Sequence, residues 1–536
     1  MRVFQHQLGR SIINVYLIKR SLRYVAVGAL SALCSACYFP KQLTSGQPSV
    51  FQSNQTNEEE QNIPAYRPLV GVAISGGGNR SALYASYLFE LLGSIPVNVP
   101  DPHQPAVDKQ ESLLNTISYI SSVSGGGFAS AYFSLKGPGN YGSLLADPPP
   151  PAMTQFFQQY HETMNFNWQR NLLSINPFSG FVNNLSNTID QQITHGMTLK
   201  DLDDLQASGK SPYLIFNTTH YDTGRRFLIT TIPSSKFCLN VEGFLRNSFK
   251  ATMNKSMDIN AMYYKWIYNC QRDDSLTPEG FDSFYTTRRI SVKSEDFSLA
   301  QAVALSGSFP VALGPVAWQI DDDKKRLLHI VDGGVTDNSG LESLLQLFIR
   351  KLLISPQRRA LILDFDASLP FNATGDVFAD QTNRFKVLLR DPSRLSDIQS
   401  IRADSFRKDL WSVVQELSDS QNSDNVVRRI SIKTMKPIDL NISQLKIDTE
   451  GCHQQLSSKE QVSRAVANVP TNYHLDDCST QFVRIAACWS AHTHAQDIQA
   501  FFRRSATDSQ GSETTLSLLD QRVRKMCPEL VTAGAL

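Results

Sequence analysis

The hydrophobic pattern becomes regular at Leu69. Leu69 to Ile74 is an unbroken apolar run, the mark of a strand covered on both faces. A triple glycine follows, then RSALYASYLFELLG, in which Leu83, Tyr84, Tyr87, Leu88, Leu91 and Leu92 recur at helical spacing and Gly93 closes the helix. The unit repeats: Ile117 to Val123 predicts a strand, Ser124 a sharp turn, and GGGFASAYFSL a helix. Further strands are predicted at Tyr213 to Asn217, Arg226 to Ile232, Leu327 to Val331 and Ala360 to Asp366, with a helix in LESLLQLFIRKLL after Gly340. Strands alternating with helices predict an α/β fold, with a mainly parallel central sheet and helices on both faces.

Two stretches interrupt this rhythm, about 137–194 and 233–294, the second rich in Tyr, Trp, Phe and Met. Both are too long for simple connections and predict cap-like insertions over a site. Residues 38–67 are rich in Gln, Asn, Ser, Pro and Glu and predict a flexible tether. The main domain is therefore placed at 68–500, and the polar, small-residue stretch 501–536 is expected to be a loosely ordered tail.

The first 37 residues read as a secretory signal. Lys19, Arg20 and Arg23 precede an apolar run from Tyr24 to Ala36. That run is short of the roughly 20 apolar residues that span a bilayer. Ser35-Ala36-Cys37 resembles the end of a bacterial lipobox, although Cys34 stands where Leu is typical. A plain signal peptide or an uncleaved anchor stays open beside the lipid anchor on Cys37. The anchored reading places the protein in a bacterial cell envelope. Tyr38 rather than Asp after the cysteine points to the outer membrane or its periplasmic face.

Composition narrows the function. The 536 residues carry a formal net charge of +1, and 41% are hydrophobic. A large core is available, and no charge field of either sign calls for nucleic acid. Beyond the signal lie Cys238, Cys270, Cys452, Cys478, Cys488 and Cys527. An even number in an exported chain permits disulfides. Pairing of sequence neighbours would join Cys238 to Cys270 and Cys452 to Cys478, while other pairings and free thiols stay open. No His/Cys cluster in the folded part has zinc spacing. Asp321 to Asp323 read as a solvated turn before a strand, and Asp364 and Asp366 as a strand end. No metal site is expected.

Three motifs carry chemistry. Gly76, Gly77 and Gly78 follow a buried strand and open a helix, where freely oriented backbone N–H groups bind an anion or a developing oxyanion. Arg80 and Ser81 do not complete a dinucleotide or Walker loop. Ser122-Val123-Ser124-Gly125-Gly126 is the G-x-S-x-G elbow with serine at its first position, and small neighbours permit the turn that presents the Ser124 hydroxyl. Such a hydroxyl needs a base, and Asp332 offers one at the end of a strand before Gly333-Gly334.

Together these residues resemble the patatin-like phospholipases and the related cytosolic phospholipase A family. There a Gly-Gly-Gly-x-Arg loop, a serine elbow and an Asp-Gly-Gly/Ala base occur in this order. TLKDL with PYLIFNTTHYDTGRRFLIT, and AVALSGSFPVALGPV, match in texture. The likeness covers Leu69 to Asp366 well and extends more loosely to Trp489. It implies a three-layer sandwich with a catalytic domain over 68–500 that cleaves fatty-acyl esters of membrane phospholipids without metal or cofactor. It further implies Ser124 as nucleophile and Asp332 as base. Gly77 and Gly78 become oxyanion donors, with Gly76 shaping their loop. Arg80 would hold that loop or meet a phosphate. Two other readings stand beside it. One is an α/β-hydrolase triad drawing on His453, His474, His492 or His494, since His329 should point away from Asp332. The other is a non-catalytic lipid-binding envelope protein.

Overall fold

The computed structural model describes residues 41–42, 67–101, 104, 107–172, 181–232, 237, 281–283, 297–309, 315–321, 326–354, 358–368, 430–503 and 513–536. The signal region with Cys37, most of the tether, Cys238, Cys270 and nearly all of 233–294 lie outside the described residues. The main sheet contains β1 (Leu69–Ile74), β2 (Ile117–Val123), β3 (Tyr213–His220), β4 (Arg225–Thr230), β5 (Val316–Asp321), β6 (Arg326–Asp332), β7 (Ala360–Phe365) and β8 (Ile430–Met435). The helices that matter for the site are α1 (Asn79–Leu92), α2 (Gly125–Lys136), α3 (Pro151–Met164), α4 (Leu299–Ser306), α5 (Leu341–Ile354), α6 (Asp477–Phe502) and α7 (Glu513–Met526).

From one edge of β3 the order runs β3-β2-β1-β7-β8, while β6, with β5 beyond it, pairs with the remaining length of that same edge and β4 pairs with the opposite edge. The strands β3, β2, β1, β7 and β8 are parallel. Alternation along them makes the layers, because successive side chains point to opposite faces. Val70, Val72 and Ile74 of β1, with Leu361, Leu363 and Phe365 of β7, enter one core with residues of α1, α2, α3, α4 and α6. Leu69, Ala73, Ala360 and Ile362 enter a second core with Leu344, Leu345 and Phe348 of α5. The result is helix, sheet, helix: the three-layer α/β sandwich expected from the sequence. No helix among the described residues is long and apolar enough to cross a membrane.

Two strands run antiparallel to β3, namely β4 and β6. β6 is antiparallel to both β3 and β5. It lies on the same side of β3 as β2, so the two meet end to end. Val123 pairs with Asn217, and Asp332 pairs with the next residue, Thr218. The carboxyl ends of two oppositely directed strands therefore converge on one point.

The described residues of the stretch 137–194, read as a cap, are built into the body of the domain. Met153, Phe157, Tyr160 and Met164 of α3, with Trp168, Leu185, Ile189 and Ile193, are buried in the first core. The expectation of a loose tail over 501–536 is corrected. Residues 513–526 form α7, and Leu519, Val523, Cys527 and Leu530 are fully buried. A disulfide joins Cys527 to Cys488 of α6, and a second joins Cys452 to Cys478. Both join cysteines adjacent in the sequence, and the second is one of the two neighbour pairings named above.

Candidate active site

Ser124 is the single residue between the end of β2 and the start of α2. The chain must reverse there, and Ser124 takes φ 52° and ψ −123°. Among the described residues it and His195 are the non-glycine residues at positive φ. Such a conformation is strained for an L-residue and persists where its surroundings hold it. Here the Ser124 N–H donates to Ser306 Oγ at 3.0 Å, and that hydroxyl donates to Asn217 O at 2.7 Å. The elbow also requires glycine behind it: a Cβ on Gly125 would stand 2.0 Å from Gly78 O. The serine at the first elbow position is accommodated, since the buried Ser122 and Ser130 hydroxyls pair at 2.8 Å.

The glycine loop passes beside this serine. A Cβ on Gly76 would come 3.5 Å from Ser124 Cβ. The Gly76 N–H donates to Asn338 O at 2.8 Å, so Gly76 shapes the loop and has no N–H to offer a ligand. Gly77 and Gly78 sit at φ 146° and 58°, conformations that favour glycine. Among the described residues their N–H groups have no hydrogen-bond partner. Arg80 is buried and fastens the loop. Its Nε donates to Ala367 O at 2.8 Å, Nη1 to Val469 O at 2.7 Å and Nη2 to Thr471 Oγ1 at 3.0 Å. The guanidinium is turned into protein and only 3% exposed.

Asp332 caps the turn that follows β6. Its Oδ1 accepts the Gly334 N–H at 2.7 Å and its own N–H donates to Ser308 O at 3.1 Å, and the Ser124 side chain lies close enough to act on the carboxyl's pKa. Burial raises its pKa to about 7, against the opposing pull of the Gly334 N–H and the Ser124 hydroxyl. A carboxyl with that pKa can take a proton near neutrality, which an ordinary one cannot. The expected histidines stand elsewhere. His453 pairs with Asp448, His492 with Asp520 and His329 with Asp222, and His474 is exposed. Among the described residues neither Ser124 nor Asp332 has a histidine partner. Asp364 and Asp366 are also engaged, accepting from Thr434 and from Ser368 respectively.

The structure thus brings together Ser124, Asp332 and Gly76 to Gly78, with Arg80 behind them. Sequence reasoning missed Asn217, Ser306, Asn338 and Tyr473. Ser306 lies in SGSFP, whose repeated small polar residues before Phe-Pro were the available signal. Asn338 follows the Asp-Gly-Gly turn by a few residues. Tyr473 belongs to no motif, and nothing in the sequence marks it.

An α/β sandwich with a serine on a strand–turn–helix elbow, opposite a buried carboxylate, defines a class of hydrolase-like folds. The family model for patatin-like phospholipase matches residues 72–345, a little over half of the 536. The chain belongs to the patatin-like phospholipase family, a family of lipid acyl hydrolases. No curated protein matches it.

Proposed function

We propose that this protein cleaves fatty-acyl ester bonds of membrane phospholipids with a Ser124–Asp332 dyad. The observation that carries this reading is the buried Asp332 carboxyl next to the Ser124 side chain, close enough for the hydroxyl to act on its pKa, beside two unpartnered glycine N–H groups. In the first half-reaction Ser124 Oγ attacks the ester carbonyl carbon as Asp332 takes its proton. The oxyanion of the tetrahedral intermediate accepts from the N–H groups of Gly77 and Gly78. One such donor is worth about 2.7–4 kcal/mol in the transition state. Collapse breaks the ester C–O bond, and Asp332 returns the proton to the departing alcohol oxygen of the lysolipid. In the second half-reaction water attacks the acyl-serine, Asp332 takes the water proton, and collapse frees the fatty acid and restores Ser124–OH. The positive end of α2 at Ser124 eases the negative charge on Oγ.

The test is Ser124→Ala. Hydrolysis of mixed phospholipid vesicles and labelling by a fluorophosphonate should both vanish, with the circular dichroism spectrum and unfolding temperature kept. Substantial hydrolysis by Ser124→Ala would falsify the mechanism.

The same reading places the enzyme on a membrane of the bacterial envelope, through acyl chains on Cys37. The basic flank, the short apolar run and the polar stretch that begins at Tyr38 support it. The disulfides Cys452–Cys478 and Cys488–Cys527 fit an oxidising compartment. Each buried methylene contributes about 0.8 kcal/mol, so two or more chains would anchor firmly. Mass spectrometry of the mature N-terminus should find acylated Cys37. An unmodified terminus would remove the anchor and leave the dyad standing.

A further inference from the structure

The family match ends at residue 345, yet residues 469–473 touch the catalytic centre at several points. Val469 O and Thr471 Oγ1 accept two of the Arg80 hydrogen bonds. Asn472 O accepts the Asn79 N–H at 2.8 Å, and it stands 2.3 Å from where a Cβ on Gly78 would be. Tyr473 O accepts the Gln169 N–H at 3.3 Å. The Tyr473 hydroxyl donates to Gly307 O at 2.7 Å.

That last contact falls at the centre of a shared support. Ser306 Oγ holds the Ser124 N–H, and Ser308 O holds the Asp332 N–H. Gly307 lies between them, and a Cβ there would be 3.7 Å from Ser124 Oγ and 3.4 Å from the Tyr473 hydroxyl. Fixing the Gly307 carbonyl therefore fixes the loop on which both dyad members rest. The geometry points to Val469–Tyr473 as a positioning element of the catalytic centre, with Tyr473 as the residue that sets the spacing of Ser124 and Asp332. The inference rests on the dyad mechanism proposed above and adds a residue to it.

The phenol suits that task. Burial and the nearby Asp332 carboxylate raise its pKa, so it remains a donor throughout the working pH range. Its ring lies 6.3 Å from that of Phe128 on α2, which keeps it in place when the hydroxyl alone is removed. The Cys452–Cys478 disulfide follows the segment closely and ties its downstream end to the hairpin Leu445–Thr449/Cys452–Leu456.

The experiment compares wild type, Tyr473→Phe and Thr471→Val, as full chains. Three quantities are read: fluorophosphonate labelling rate at Ser124, kcat and KM on a short-chain chromogenic ester, and unfolding temperature. Tyr473→Phe should lower the labelling rate and kcat by about tenfold, because small misplacements of reacting groups are costly. KM should stay within about twofold, since the lost contact acts on chemistry and not on uniform binding. Thr471→Val should produce a smaller fall of the same kind, because Arg80 keeps its bonds to Ala367 and Val469. Labelling and kcat of Tyr473→Phe within about twofold of wild type overturn this inference alone. So does a loss of activity that only follows a fall of more than about 5 °C in unfolding temperature. A wild type that neither labels at Ser124 nor hydrolyses esters overturns the dyad reading and this one with it.

Discussion

Under the proposed mechanism Asp332 trades stability for chemistry. Its carboxyl is buried and its pKa is raised to about 7. Against an ordinary carboxylate the shift corresponds to roughly 4 kcal/mol between protonation states. Below about pH 4 the group is neutral in the folded and the unfolded chain, and the burial costs nothing extra. As pH rises from about 4 to 7 the unfolded chain loses this proton while the folded chain keeps it, so stability falls, and above about 7 the loss is complete. Asp332→Asn should therefore be inactive yet more stable than wild type at pH 8, with the difference shrinking towards pH 4. Thermal melts across that range measure it, and an Asn variant less stable than wild type at pH 8 would contradict the assignment. Activity moves the opposite way. Wild-type kcat/KM should rise about tenfold per pH unit up to a plateau near pH 7, because only the ionised carboxylate accepts the serine proton. A profile flat from pH 5 to 8 would show that Asp332 does not titrate as the base.

At the scale of elements, the elbow depends on a close crossing that a single methyl would spoil. Gly125 opens α2, where alanine would ordinarily gain about 1 kcal/mol of helix propensity. That gain is outweighed here, because the Cβ would lie 2.0 Å from Gly78 O and 2.5 Å from its carbonyl carbon, and backbone cannot swing aside as a side chain can. Gly125→Ala should move the glycine loop away from Ser124 and cost at least about 100-fold in labelling rate. Its stability should fall by about 1–3 kcal/mol, the usual range for overpacking. A labelling rate near that of wild type would mean that the loop and the elbow are independent. The Gly-Gly requirement was legible in SVSGG because small residues there serve one purpose. The buried strands were legible for a similar reason: covering both faces makes an apolar run, as in LVGVAI and ALILDF. The direction of Arg326–Asp332 was not legible, since an apolar run fits either direction and its partners decide. Val316–Asp321 was hidden because its acidic end merges with the following aspartates into what reads as a turn.

The whole molecule extends the family domain with a C-terminal part that closes over it. Residues 501–536 read as a tail because GSETT and TAGAL are polar or small. The overlooked signal was Leu516, Leu519, Val523, Cys527 and Leu530, spaced by three and four as on one helical face. In the fold that face lies against α6, where Tyr84 of α1 also reaches Ser490 at 2.8 Å, and α7 touches α1 itself, with Arg522 near Glu90 in the last turn, at the opposite end of that helix from the glycine loop. Three ties hold it. Fully burying a large aliphatic side chain contributes about 1.5–3 kcal/mol, and Leu519, Val523 and Leu530 are each 0% exposed. The Cys488–Cys527 disulfide spans 39 residues, and a loop that long contributes about 4 kcal/mol by restricting the unfolded chain. The Arg484–Glu529 pair at 2.6 Å adds a third tie. Replacing Cys527 by Ser removes the cross-link but leaves the apolar face and the ion pair in place. Cys527→Ser should therefore unfold several degrees lower than wild type while its Ser124 labelling rate at 25 °C stays unchanged. Deleting residues 513–536 removes the apolar contacts as well and uncovers the matching face of α6, so that variant should aggregate. If the truncated chain stays monomeric and melts where Cys527→Ser does, the disulfide alone holds the tail and the packing contributes nothing.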